Sequence, residues 1–201
     1  MKATMKTLSA ILICCFISTI QMYGENIQRP ESENYVKGVE ALNEGNPEAA
    51  YTYLNAEINE HPDNGYAHCY MALICNFCND TKLALQALNS SLELIPEADT
   101  EYRSFAHYSR GVLLTNLKMW ERAEADLNEA IRLNPEDVEN YKSRAQLYFE
   151  TERYEESLND LTRALKLDSK ADVNDLVLQL MAVAPTSEFM ERITATYQQL
   201  D

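Results

Sequence analysis

Glycine is scarce in this chain, with five in 201 residues, which leaves no glycine-rich loop able to cradle a phosphate. Histidine is scarcer. His61, His68 and His107 are the only three, and none stands in a serine- or cysteine-nucleophile signature that would supply a catalytic base. Basic residues are outnumbered, with 17 Lys and Arg against 32 Asp and Glu and a formal charge of -15. Nucleic-acid affinity comes mainly from Lys and Arg neutralising phosphates, so such a surface repels nucleic acid. These shortages set aside catalysis and nucleic-acid binding, and the expectation is a non-enzymatic protein with no cofactor and no metal.

The N-terminus has a different character. Lys2 and Lys6 precede a largely apolar run from Leu8 to Ile20, followed by Gln21 and Gly24-Glu25-Asn26. That run is short of the roughly 20 residues a membrane-spanning helix needs and has the layout of a secretory leader. The pattern predicts a signal peptide over 1–24, cleaved between Thr19 and Glu25, and an exported protein: periplasmic in a Gram-negative bacterium, secreted otherwise. An uncleaved anchor or lipid attachment at Cys14 or Cys15 is the alternative, and would be the only membrane contact. Lipidation fits poorly, because Ile13 is bulky where lipoprotein signals want a small residue. Without the leader, 15 basic residues face 32 acidic ones. That excess either keeps a thin, exposed array soluble or attracts a basic partner.

A fixed interval runs through the rest. It separates Pro62 from Pro96, and recurs in Gly38/Ala72, Ala50/Ala84, Leu54/Leu88, Gly111/Ala145, Ala123/Ser157, Leu127/Leu161 and Ala130/Ala164. A period of this length, about 34 residues, marks stacked helical hairpins, each needing a neighbour to bury its apolar face. Small residues at Gly38, Ala72, Gly111 and Ala145 and at Ala50, Ala84, Ala123 and Ser157 let paired helix axes approach within roughly 8–10 Å. Leu54, Leu88, Leu127 and Leu161 are expected to fill the seam between hairpins. Ile58, Leu92, Ile131 and Leu165, four residues on, share their helix face.

The residues in these columns resemble the tetratricopeptide repeat family. Its nearest match runs from Tyr108-Ser109-Arg110-Gly111 through Ala123, Asp126-Leu127 and Ala130-Ile131 to Leu133-Asn134-Pro135. A second unit follows with Tyr141, Arg144-Ala145, Tyr148, Ser157, Asp160-Leu161 and Ala164-Leu165, but has Ser169 where the family usually has proline. Two looser units precede them. The resemblance implies an all-α, right-handed superhelical solenoid of antiparallel helix pairs. The expected organisation is a linker at 25–30, hairpins at 31–64, 65–98, 99–137 and 138–171, and capping helices over 172–201.

The period breaks once. Pro96 to Pro135 and Ala84 to Ala123 both exceed the common interval by five, which places a five-residue insertion among 97–105. Asp99-Thr100-Glu101-Tyr102-Arg103 contains a helix start and no breaker, so one extra, projecting turn is expected on the first helix of the third unit. Asn134, with Pro135 behind it, reads as the N-cap of the fourth.

Arg110 and Asp126 have the same spacing as Arg144 and Asp160, and both pairs are expected to clip their hairpins as structural salt bridges. Cys75 and Cys78, near His68 and Cys69, invite a metal or redox reading. His68 and Cys75 are seven residues apart on one helix, roughly 10 Å along its axis, too far to share a zinc unaided. No strand precedes the Cys-x-x-Cys, so packing cysteines are the stronger reading, with a disulfide or redox pair left open.

The resemblance further implies binding. The family's inner face, carried over by register, gives a peptide groove of Tyr35, Tyr66, Cys69, Leu73, Asn76, Phe77, Phe105, Tyr108, Val112, Asn116 and Lys142. Tyrosine and phenylalanine give large contact area with few rotamers to freeze. Some family members bind a chaperone's C-terminal carboxylate through Lys and Asn; Tyr35 and Val39 stand where that clamp would need them. The expected function is an adaptor or scaffold for a protein or peptide partner. The alternative is a structural subunit of a homo-oligomeric or cell-envelope assembly, touching through the helix near Tyr102.

Overall fold

Short polar side chains set the helix starts. Asn46, Asn64 and Asp80 each accept a hydrogen bond from the backbone N–H three residues on, at 3.1 Å, satisfying a donor that the first helical turn leaves open. In the computed structural model residues 27–183 and 186–198 are described; the expected leader, with Cys14 and Cys15, lies outside them. Among the described residues there are ten helices and no strand: α1 Glu33–Asn43, α2 Pro47–Glu60, α3 Gly65–Phe77, α4 Thr81–Leu94, α5 Thr100–Asn116, α6 Trp120–Leu133, α7 Val138–Glu150, α8 Tyr154–Leu167, α9 Asn174–Val183 and α10 Ser187–Gln198. None of these is long and apolar enough to cross a membrane. Asn134 does not start α7. Its N–H bonds Ala130 O at 2.9 Å and closes α6, while Asp137 caps α7 by accepting from the Glu139 N–H at 3.0 Å.

The first helices of the four hairpins, α1, α3, α5 and α7, end in the same turn. Gly45, Asn79, Lys118 and Glu152 have φ of 72°, 62°, 58° and 61°. They follow one another at the repeat interval, except that the step across the insertion is five longer. The N–H after each reaches back five residues: Asn46 to Ala41 O and Asp80 to Cys75 O at 2.8 Å, Met119 to Leu114 O at 2.9 Å, Arg153 to Tyr148 O at 2.8 Å. This is the Schellman ending, in which a left-handed residue reverses the chain and satisfies the last carbonyls. Glycine meets that requirement once in four.

Between paired helices the small residues do what their size allows. A Cβ on Gly38 would lie 2.6 Å from Leu54 Cγ, and one on Gly111 2.7 Å from Leu127 Cγ. Leu54 and Leu127 therefore seat against the first helix of their own hairpin, and the seam they fill lies inside the hairpin, not only between hairpins as the spacing implies. All four seam leucines are at most 2% exposed, each burial being worth about 1.5–3 kcal/mol. Ser157 takes an alanine position and donates to Ala145 O at 2.8 Å, so its hydroxyl is buried at little cost.

The chain divides into two compact units at Ala106/His107, within α5. The first holds α1–α4 and the start of α5. The second holds the remainder; there Leu158, Leu161 and Leu165 of α8 share a core with Val173, with Leu176, Val177 and Leu180 of α9 and with Phe189 and Ile193 of α10. These last two helices cover the apolar side of α8, as an end cap must.

Candidate functional site

In the first unit the inserted residues turn inward. α5 has 17 residues against 13 in α3 and in α7, so the break in the period adds one helical turn. That turn does not project: Tyr102 is 4% and Asp99 1% exposed. Asp99 caps α5 through the Tyr102 N–H at 3.3 Å and accepts from the Tyr66 hydroxyl at 3.0 Å. The Tyr102 ring meets Tyr66 edge-on with centroids 4.8 Å apart, and its hydroxyl lies 3.0 Å from that of Tyr70. Tyr70 in turn packs on Tyr35 at 6.1 Å. Burial pushes the Tyr35, Tyr66, Tyr70 and Tyr102 phenols upward in pKa, so they stay neutral hydrogen-bonding groups.

Arg29 closes this cluster. Its Nε and Nη2 reach the two Asp99 oxygens at 3.1 and 3.2 Å, Nη2 also reaches Glu101 at 3.0 Å, and the guanidinium stacks on Tyr102. Burial pulls its pKa down, but the bonds to Asp99 and Glu101 outweigh that and raise it. The expected linker is thus tied to the start of α5.

These contacts redistribute the expected groove. Tyr35, Tyr66, Cys69 and Phe105 are all 9% exposed or less; they form the interior of the first unit and do not present to an open surface. Burial pushes the Cys69 thiol up to about 12. Still open in this unit are half-buried Leu73, exposed Asn76 and Phe77, the last at 44% exposure. In the second unit Tyr108 and Val112 are half-buried and Asn116 is exposed. Lys142 is half-buried and bound to Glu139 at 2.7 Å. The buried position of Tyr102 also removes it as the contact of an assembly. Cys75 is buried, Cys78 exposed at the end of α3, and both are free thiols. No group of three metal-ligating side chains occurs among the described residues.

The paired charges of the second unit are bidentate. Arg110 holds Asp126 at 2.7 and 2.8 Å, and Arg144 holds Asp160 at the same two distances. Each pair has partners that its spacing in the sequence did not indicate: His107 Nδ1 lies 2.9 Å from Asp126, and Arg144 also donates to Asn128 at 2.6 Å. Burial raises the pKa of the Asp126 carboxyl, but the Arg110 and His107 contacts outweigh it and hold the group below its ordinary range. Planar, two-point pairing of this kind fixes side-chain geometry and supplies no reactive group.

Known proteins share this architecture. Two family models, both described as tetratricopeptide repeat, match residues 104–137 and 139–170. The chain is 24% identical over 143 residues to Tetratricopeptide repeat protein 6 of Homo sapiens, covering 71% of this chain and 26% of that protein. It is 30% identical over 87 residues to the Lipoprotein NlpI homolog of Haemophilus influenzae, covering 43% of this chain and 28% of that protein. The matches thus span about a quarter of the length of these curated relatives. Among solved structures, MamA from Desulfovibrio magneticus superposes with a TM-score of 0.67 at 19% identity, over 83% of this chain and 92% of that one. YrrB, described as a TPR protein with an unusual peptide-binding site, gives 0.61 at 20% identity over 73% of each chain. The class is that of helical-hairpin scaffolds for protein interaction. The chain carries tetratricopeptide repeats, matched by family models over residues 104–137 and 139–170.

Proposed function

We propose that the protein is an exported, non-enzymatic adaptor that holds a segment of a partner protein on the open part of its first-helix face. The observation that carries this reading is Phe77. Its ring is 44% exposed beside Leu73 and Asn76, on a helix whose other aromatic residues are buried. An aromatic anchor flanked by an apolar and an amide side chain suits a peptide contact. The peptide-binding description of YrrB, a structural neighbour, supports the same use of the fold.

Export rests on the layout of Lys2, Lys6 and the run from Leu8 to Ile20, with the lipoprotein name of the Haemophilus relative in support. The chain's excess of acid makes a basic partner segment the complementary one. Affinity capture from the exported fraction, comparing wild type with Phe77→Ser, tests both parts. Recovery of the protein in that fraction and loss of the captured partner in the variant are expected. Retention in the cytoplasm would overturn export, and unchanged partners would overturn the α3 face.

A further inference from the structure

In the first unit a pocket of about 440 Å³ lies between the segment 28–32, the junction of α2 and α3, and the end of α4. That volume is in the range of sites holding small ligands or single side chains. Carboxylates outnumber guanidinium and ammonium groups in its wall. Glu31, Glu57 and Asp63 line it, and the one guanidinium that does, Arg29, is committed to Asp99 and Glu101.

Glu57 is the informative residue. It is 1% exposed. Its Oε1 accepts from Asn64 Nδ2 at 2.8 Å, while Oε2 is buried with no hydrogen-bond partner among the described residues. Ser32, which also lines the pocket, has its Oγ buried with no hydrogen-bond partner among the described residues; it stands at the N-cap of α1 without making the cap bond. Buried oxygens of this kind are ordinarily paired, because a lone one keeps its full desolvation cost.

We propose that this pocket receives the ammonium end of a lysine side chain from the partner protein. An ammonium carries three N–H donors and no acceptor, so it can donate to Glu57 Oε2 and keep donors for other oxygens of the wall. Arginine fits less well. Its planar fork is matched by both oxygens of one carboxylate, and Oε1 is already occupied by Asn64. The surrounding field has the matching sign, since residues 27–106 contain four basic and thirteen acidic residues. The assignment rests on the adaptor reading and specifies what the partner segment must contain.

The test is a titration of the exported chain, followed by amide chemical shifts, with acetyl-Gly-Lys-Gly amide and with the same peptide carrying norleucine, which keeps the methylenes and lacks the ammonium. The lysine peptide is expected to give saturable shifts at Ser32, Asn64 and Tyr66, and the norleucine peptide none. Losing a charged hydrogen bond, Glu57→Gln should weaken lysine binding by about tenfold or more. Ser32→Ala should weaken it less, and serves if the Glu57 variant is unstable. Equal shifts with both peptides, unaltered binding in Glu57→Gln, or no response to millimolar lysine peptide would each overturn the assignment, the last meaning that solvent alone meets these oxygens. If partner capture depends on Phe77 while lysine peptides fail, only the pocket assignment falls and the adaptor reading stands.

Discussion

The guanidinium carbon of Arg29 lies 4.6 Å from the centroid of the Tyr102 ring, although four helices separate them along the chain. The pairing closes the tyrosine cluster of the first unit and holds the segment before α1 in place. It also explains why a residue in an apparent linker carries three charged hydrogen bonds.

Removing that guanidinium should therefore cost stability, not only local order. Asp99 has a side chain 1% exposed and would lose its charged partner while keeping the Tyr66 hydroxyl and the Tyr102 N–H. Arg29 is itself 25% exposed, so Arg29→Ala should destabilise by about 2–3 kcal/mol, below the range for a fully buried pair. Arg29→Lys should recover less than half of that, lacking the fork and the stacking plane. Urea unfolding of the two variants measures it. A loss within error of zero would mean that the contact does not hold the segment.

The left-handed turns allow a gain. Glu152 is exposed with φ of 61°, a conformation that costs a non-glycine residue on the order of 1 kcal/mol. Glu152→Gly should raise stability by about 0.5–1 kcal/mol. The reverse change, Gly45→Ala, should lower it by a similar amount; nothing lies within 4 Å of a Cβ there, so the loss would come from the backbone alone. Thermal melts of both variants decide it, and a lower melting temperature for Glu152→Gly contradicts the argument.

Acid should weaken the second unit through Asp126. Its carboxyl is held below the ordinary range in the folded protein, so the folded state binds its proton less readily than the unfolded chain does. The resulting stabilisation is fully present above the unfolded value of about 3.9. It is lost as pH falls from there through the lower folded value. Asp126→Asn should be less stable near neutral pH and lose less stability between pH 4 and pH 2, a window set by about 3.9 as its upper edge. Parallel wild-type and variant unfolding curves across that window would refute this.

The paired helices and their seams are legible because small and large residues recur at one interval, and sterics admit few arrangements for such a pattern. The turns are less so. Gly45 announces itself, but Lys118 and Glu152 have no turn chemistry, and their backbone is imposed by the packing on either side. The cluster around Arg29 has no local signal at all, since its partners lie far along the chain and outside the period. Register alone places Tyr35 and Tyr66 on an open face. That register belongs to a repeat without the insertion, whose extra turn brings Tyr102 against Tyr66 and Tyr70. Leu73, Asn76 and Phe77 lie further along α3 and stay uncovered.

That extra turn in α5 makes the helix a rotary setting. Each residue advances a helix by about 100°, so a whole turn nearly restores the azimuth of everything behind it. Asp99 and Tyr102 stand three residues apart at the start of α5, and both meet Tyr66 of α3. Adding or deleting a single residue between them would leave α5 helical but swing one of the two away from Tyr66. Their spacing at the start of α5 lets one tyrosine receive both an edge-on ring and a carboxylate acceptor.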